Sequence, residues 1–221
     1  MGQYYVAVNL DKKEYIYPHT YGCGAKLMEH SYMGNDGFGN DFTGALITLL
    51  TKDWAGDRIV LAGDYANKEY MEENFPELFE ELAKENPWLN DKREYNGDYY
   101  DMALYECDEH DFKPIDGITQ ETACPKYALF TNGEHKYYCD LYDERMFAWD
   151  WTDEYTGEKR ITNIFPVNLL VALGNGLGGG DYHGLSEELV GCLAGYHIEL
   201  DDEIPEGYED VFDGEEPFRE N

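Results

Sequence analysis

Basic residues are scarce: 16 Lys and Arg stand against 47 Asp and Glu in 221 residues, a formal charge of -31. That deficit opposes direct binding to nucleic acid or to an anionic membrane, which carry the same sign. Apolar runs are short as well. None approaches the ~20 residues of a membrane-spanning helix, and no charged-plus-apolar leader opens the chain. Cysteine is limited to Cys23, Cys107, Cys124, Cys139 and Cys192, an odd set without CxxC spacing. This argues against a disulfide framework or a structural zinc and for a reducing compartment. A cytoplasmic, intracellular protein is the resulting expectation. Also missing are the phosphate-loop Lys-Ser/Thr pair, the dinucleotide fingerprint, a GxSxG elbow and HExxH. The expectation is therefore no catalytic residue, no metal and no cofactor.

Aromatic residues are what the chain does have. Twenty Tyr, ten Phe and four Trp need a core or an interface, which opposes the disorder that high net charge otherwise signals. The charge is uneven: residues 1–60 balance at -2, 61–125 at -13, 126–200 at -7 and the last twenty-one at -9. Salt adaptation would acidify the surface more evenly.

A glycine-rich stretch occurs twice. At a constant offset of 140, Gly34, Asn35, Gly39, Asp41 and Gly44 meet Gly174, Asn175, Gly179, Asp181 and Gly184. Further on, Trp54 to Leu61 parallels Leu193 to Leu200; upstream, Tyr4, Asn9, Lys13 and Tyr15 meet Tyr127, Asn132, Lys136 and Tyr138. Three collinear matches predict a duplicated unit with different insertions. In order, each unit reads as β-hairpin, glycine loop, helix and strand. The predicted fold is α+β, with two degenerate units around a shared core. Residues 1–66 form the first unit, 67–125 an acidic insertion, 126–208 the second unit and 209–221 an acidic mobile tail. Asn132-Gly133 is a strong hairpin turn, and Ser186 is placed to cap a helix whose first turn holds Glu187 and Glu188.

Within the insertion, Phe75, Leu78, Phe79 and Leu82 recur at helical spacing, opposite Glu73, Glu77, Glu80, Glu81 and Glu85. The plain meaning is a solvated helix face. The sharper one is a rigid row of carboxylates that fills the basic groove of a nucleic-acid-binding protein. Residues 91–116 read as a long surface loop or irregular sheet edge.

The glycine blocks offer a second candidate site: Asn35, Asp41, Asn175, Asp181, Tyr182 and His183. Glycine loops before helices can cradle phosphate, yet no Lys or Arg follows, and Asp181, Glu187 and Glu188 would repel it. Close packing between units is the better explanation of the glycines. Cys107-Asp108-Glu109-His110-Asp111 is rich in ligand types, but adjacent residues cannot all face one ion.

The MGxYYxxVNLDKKEY start, Gly56-Asp57-Arg58-Ile59 with Ala62-Gly63-Asp64-Tyr65, and the GNGxGGGDY block resemble a functionally uncharacterised family of hypothetical bacterial and viral proteins. The resemblance spans both units, omits the acidic insertion and implies no catalytic residue. A viral distribution would favour an inhibitor. The expected function is a non-enzymatic acidic protein that blocks a basic protein surface, as an inhibitor, anti-defence or immunity protein would. The alternative is a small-molecule binder or enzyme working at the glycine loops.

Overall fold

The computed structural model describes residues 3–34, 36–96, 98–143, 148–152, 159–174 and 189–212. Strand β1 (Tyr5–Asn9) is buried at all five positions, which is why Val6 and Val8 are as apolar as Tyr5 and Ala7. The Asn9 side chain accepts from the N–H groups of Asp11 and Lys12, and Lys13 takes φ 54°, closing a hairpin onto β2 (Glu14–Ile16). After the short helix α1 (Leu27–His30) comes α2 (Asp41–Leu50), capped by Asn40, whose side chain accepts from the Thr43 N–H. Its residues 42–47, Leu49 and Leu50 are buried. Gly56, at φ 79°, turns the chain into β3 (Asp57–Gly63).

The next segment holds α3 (Lys68–Asn74), capped by Asn67, and α4 (Pro76–Glu85), with Pro76 at its first turn. Strands β4 (Lys92–Tyr95) and β5 (Asp98–Asp101) pair with each other around Asn96, at φ 55°, and with no other strand among the described residues. The stretch 91–116, expected as a long surface loop or irregular sheet edge, is thus partly a hairpin, and near its end β6 (Lys113–Pro114) pairs in parallel with β2 at the edge of the sheet. Proline there fits an edge strand.

In the second half β7 (Tyr127–Thr131) and β8 (Lys136–Asp140) flank Asn132-Gly133, the glycine at φ 92°. Asn132 accepts from the N–H groups of Glu134 and His135, the role Asn9 fills in the first hairpin. Then follow the paired strands β9 (Ala148–Thr152) and β10 (Lys159–Asn163), helix α5 (Pro166–Leu170), and β11 (Ala172–Leu173). Past Gly195, at φ 83°, comes β12 (His197–Asp201), and β13 (Glu209–Asp210) closes the described elements. Residues 209–212, expected to open the mobile tail, belong instead to the fold, and 213–221 lie outside the described residues. Glu209 and Asp210 pair with β8, and Val211 is fully buried, because one apolar side chain in an acidic stretch still finds the core.

The chain is a mixed α+β protein built on one large sheet of order β13-β8-β7-β12-β3-β1-β2-β6, with β11 beside β3. One face carries Tyr5, Ala7, Ile59, Leu61, Ala128, Phe130 and Ile198, packed under Phe42, Leu46, Trp54, Phe165 and Leu170. The other face carries Val6, Val8, Val60 and Ala62, and is covered by Met71, Phe79, Leu82, Leu89 and Leu104. On the β7–β12 side that second face turns polar: β12 alternates His197, Glu199 and Asp201 outward with Ile198 and Leu200 inward. The segment 67–125 is therefore a lid mainly over the first half, reaching the second through Tyr70 on the Gly174 carbonyl, Phe75 beside Gly191 and Leu78 beside Gly195.

Candidate functional site

The acidic surface is built on two helices. Phe79 and Leu82 of α4 and Met71 of α3 face the sheet, so each helix turns its glutamates outward. The single helical face expected from Glu73 to Glu85 is corrected in this respect. Pro76 begins a new helix after Phe75, whose φ -142° and ψ 52° break the first, so Glu73 belongs to α3 and the other four to α4. All five are exposed. They are not equivalent. Glu80 pairs with Lys84 at 2.7 Å. Glu81 and Glu85 turn to Arg58, which also binds Asp11 at 2.7 Å. Glu73 and Glu77, with Glu69, have no ion pair among the described residues.

Arg58 is the junction between lid and sheet. Its side chain is only 14% exposed. Burial pulls its pKa down, but Asp11, Glu81 and Glu85 outweigh that and raise it. For Asp11 burial raises the pKa, while the Arg58 N–H and guanidinium hold it below the ordinary value. The His197 Nδ1 lies 3.9 Å from Asp11 Oδ2 and 2.9 Å from the Gly56 carbonyl.

The first glycine block is a tightly tied loop. Its Gly34 N–H donates to the Phe38 carbonyl, and the Gly39 N–H to Gln120 Oε1 at 2.9 Å. Gln120 in turn donates from Nε2 to the Gly37 and Thr122 carbonyls. A Cβ on Gly39 would lie 2.7 Å from both the Gly44 nitrogen and Thr43, and one on Gly44 would meet Gln120. Gly39→Ala is therefore expected to cost about 1–3 kcal/mol of stability, measured by urea unfolding. A variant as stable as wild type would remove close packing as the reason for the glycine.

Of the second candidate site, only Asp41 can be placed: it is exposed in the first turn of α2, beside a cleft of about 480 Å³ lined by Tyr21, Gly39 and Gln120. Asn35, Asn175, Asp181, Tyr182 and His183 lie outside the described residues, as does the helix expected from Ser186. Gly174, the one described residue of the second block, sits against Gln3, where a Cβ would meet the amide at 1.9 Å. Among the described residues no three His, Cys, Asp or Glu side chains are gathered to hold a metal, the 107–111 stretch included. Burial raises the thiol pKa of Cys124 to about 12 and also raises those of Cys107 and Cys139, which keeps all three protonated and poorly nucleophilic.

Two features have weak signals or none in the sequence. The β4–β5 hairpin turns at Asn96, and the sequence Asn96-Gly97 is the same signal as Asn132-Gly133, but its flanks lack apolar alternation. His30, fully buried with both ring nitrogens unpaired, has no local signal at all.

No protein family, curated protein or solved structure matches this chain.

Among the described residues no helix is long and apolar enough to cross a membrane.

Proposed function

We propose that the chain is a non-enzymatic, strongly acidic interaction protein that covers a basic surface of a protein partner, one that otherwise binds nucleic acid, in the manner of an inhibitor, anti-defence or immunity protein. The observation that carries this reading is the row Glu69, Glu73 and Glu77: exposed, without an ion pair among the described residues, and held on two consecutive helices anchored to a sheet. Carboxylates fixed in this way lose little conformational freedom on binding, and their summed field steers a cationic partner.

The same proposal includes descent from one duplicated unit. Its support is the order of the sheet, in which hairpin and return strand run β2-β1-β3 on one side and β8-β7-β12 on the other, meeting at β3 and β12. Gly56 and Gly195 both take positive φ before the return strand, and Asn9 and Asn132 fold their turns alike. The register has diverged: Asn9 pairs with Ile59, whereas Ile198 pairs with Phe130, two residues short of Asn132, which keeps the same face inward.

A second reading, ligand binding at the glycine loops, has the cleft beside Asp41 in its favour. The test separates the two. Glu69, Glu73 and Glu77 are replaced together by Gln, sparing Glu81 and Glu85 because Arg58 needs them. Binding to a panel of purified basic DNA-binding proteins is then followed against salt. Association should slow by about tenfold at low salt with a shallower salt dependence, while Asp41→Asn changes nothing. Unaltered rates for the triple variant, or loss of binding in Asp41→Asn, would defeat the proposal.

A further inference from the structure

The β4–β5 hairpin stands off the body as a two-stranded ribbon that pairs with no other strand among the described residues. A lone ribbon is marginal in water, and this one keeps Tyr99 67% and Tyr100 54% exposed. Its base is fastened instead: Lys92 lies 3.3 Å from Asp101, and Arg93 lies 3.2 Å from Glu106 and 3.0 Å from Glu109. The register pairs Lys92 with Asp101 and Glu94 with Tyr99, so alternation puts these four on one face of the ribbon. Lys92 and Asp101 of that face line a groove of about 610 Å³ together with Asn90 and, from α3, Lys68, Glu69, Glu72 and Glu73, and Tyr99 follows further along the ribbon, beyond the lining. The two lysines of the groove are already engaged, Lys68 with Glu72 at 3.6 Å and Asn90 at 3.0 Å, and Lys92 with Asp101.

The geometry points to this groove as the seat of an arginine-rich segment of the partner, with one guanidinium on Glu69 and Glu73 in the groove and another over the exposed Tyr99 ring further along the ribbon. The assignment rests on the acidic-interaction reading and narrows it to one surface and one side-chain chemistry. Charge decides the occupant. A second copy of the chain brings another -31, and nucleic acid and anionic lipid share that sign. An aromatic face between carboxylates suits the flat, weakly hydrated guanidinium better than an ammonium. Tyr99 is already oriented, its hydroxyl donating to Glu94 Oε2 at 3.4 Å.

The test uses the full chain and two synthetic probes, oligo-arginine and oligo-lysine, at low salt. Oligo-arginine should bind more tightly, and amide shift changes in the chain should gather on residues 68–73 and 98–101. Tyr99→Ser should weaken oligo-arginine about three- to fivefold, with Tyr99→Phe retaining the affinity; Glu69→Gln with Glu73→Gln should weaken it about tenfold. Residue 99 is exposed, and circular dichroism confirms that each variant is folded. Shift changes spread over the whole acidic surface, equal affinity for the two probes, or an unaffected Tyr99→Ser would each overturn the groove. The broader reading would still stand if the basic-protein panel binds. Failure of that panel would remove both.

Discussion

Replacing His30 by Phe should flatten the loss of stability that the wild-type chain undergoes between about pH 6.5 and 3. His30 is fully buried, with the Tyr5 and Phe42 rings edge-on at 6.4 and 4.7 Å and no hydrogen bond at either ring nitrogen. Burial pushes its pKa from 6.5 down to about 3. The sign follows from proton uptake. Between those values the unfolded chain binds a proton that the folded chain refuses, so stability falls as pH drops, by about 1.4 kcal/mol per unit at full effect. Above pH 6.5 the group is neutral in both states and contributes no slope. Carboxylates also titrate within the window between about pH 6.5 and 3, but they do so in both proteins, so the difference in urea midpoint isolates His30. Parallel midpoint curves for wild type and variant, with His30→Leu behaving the same way, would show that His30 takes up its proton in the folded chain.

Arg58→Met should destabilise the chain by about 2 kcal/mol, below the range for a wholly buried pair because Glu81 and Glu85 are half-exposed. Methionine keeps much of the apolar stem, so the loss is mainly electrostatic: Asp11, Glu81 and Glu85 are left converging on one spot without a cation. Two dependencies follow. Added salt should recover part of the loss by screening the three carboxylates. Lowering the pH should also close the gap. Asp11 has a depressed folded pKa, so its contribution in wild type is present above about 3.8 and is lost as pH falls through the lowered value. Chemical denaturation at two salt concentrations and across pH 3–7 measures both. A deficit indifferent to salt and pH would assign Arg58 to packing rather than to charge.

Local pattern alone makes several elements legible in the sequence. Asn132-Gly133 between two β-prone runs is a hairpin in almost any context, and the run Ala45 to Leu50, apolar but for Thr48, has to be buried. Pro76 is legible as a helix start, but only the backbone of Phe75 reveals that another helix ends there. Pairings between distant segments carry no local mark. Nothing in Lys113-Pro114 or Glu209-Asp210 announces a parallel edge strand, because two residues cannot show a period. At the candidate site the glutamates can be counted from the sequence, whereas their division into Arg58-bound and free groups depends on which strand lies beneath α4. The Tyr99 ribbon is obscured because exposed strands need not alternate.

The meeting of β3 with β12 sets a timetable for synthesis. Residues 57–63 leave the ribosome well over a hundred residues before 197–201, so β3 must wait with one edge unpaired while β1 already occupies the other. An open strand edge beside a finished hairpin is a template for pairing with a neighbouring nascent chain. The segment made next is 67–125, which supplies nearly all of the -13 carried by residues 61–125. Mutual repulsion between growing chains thus begins while the β3 edge stands open.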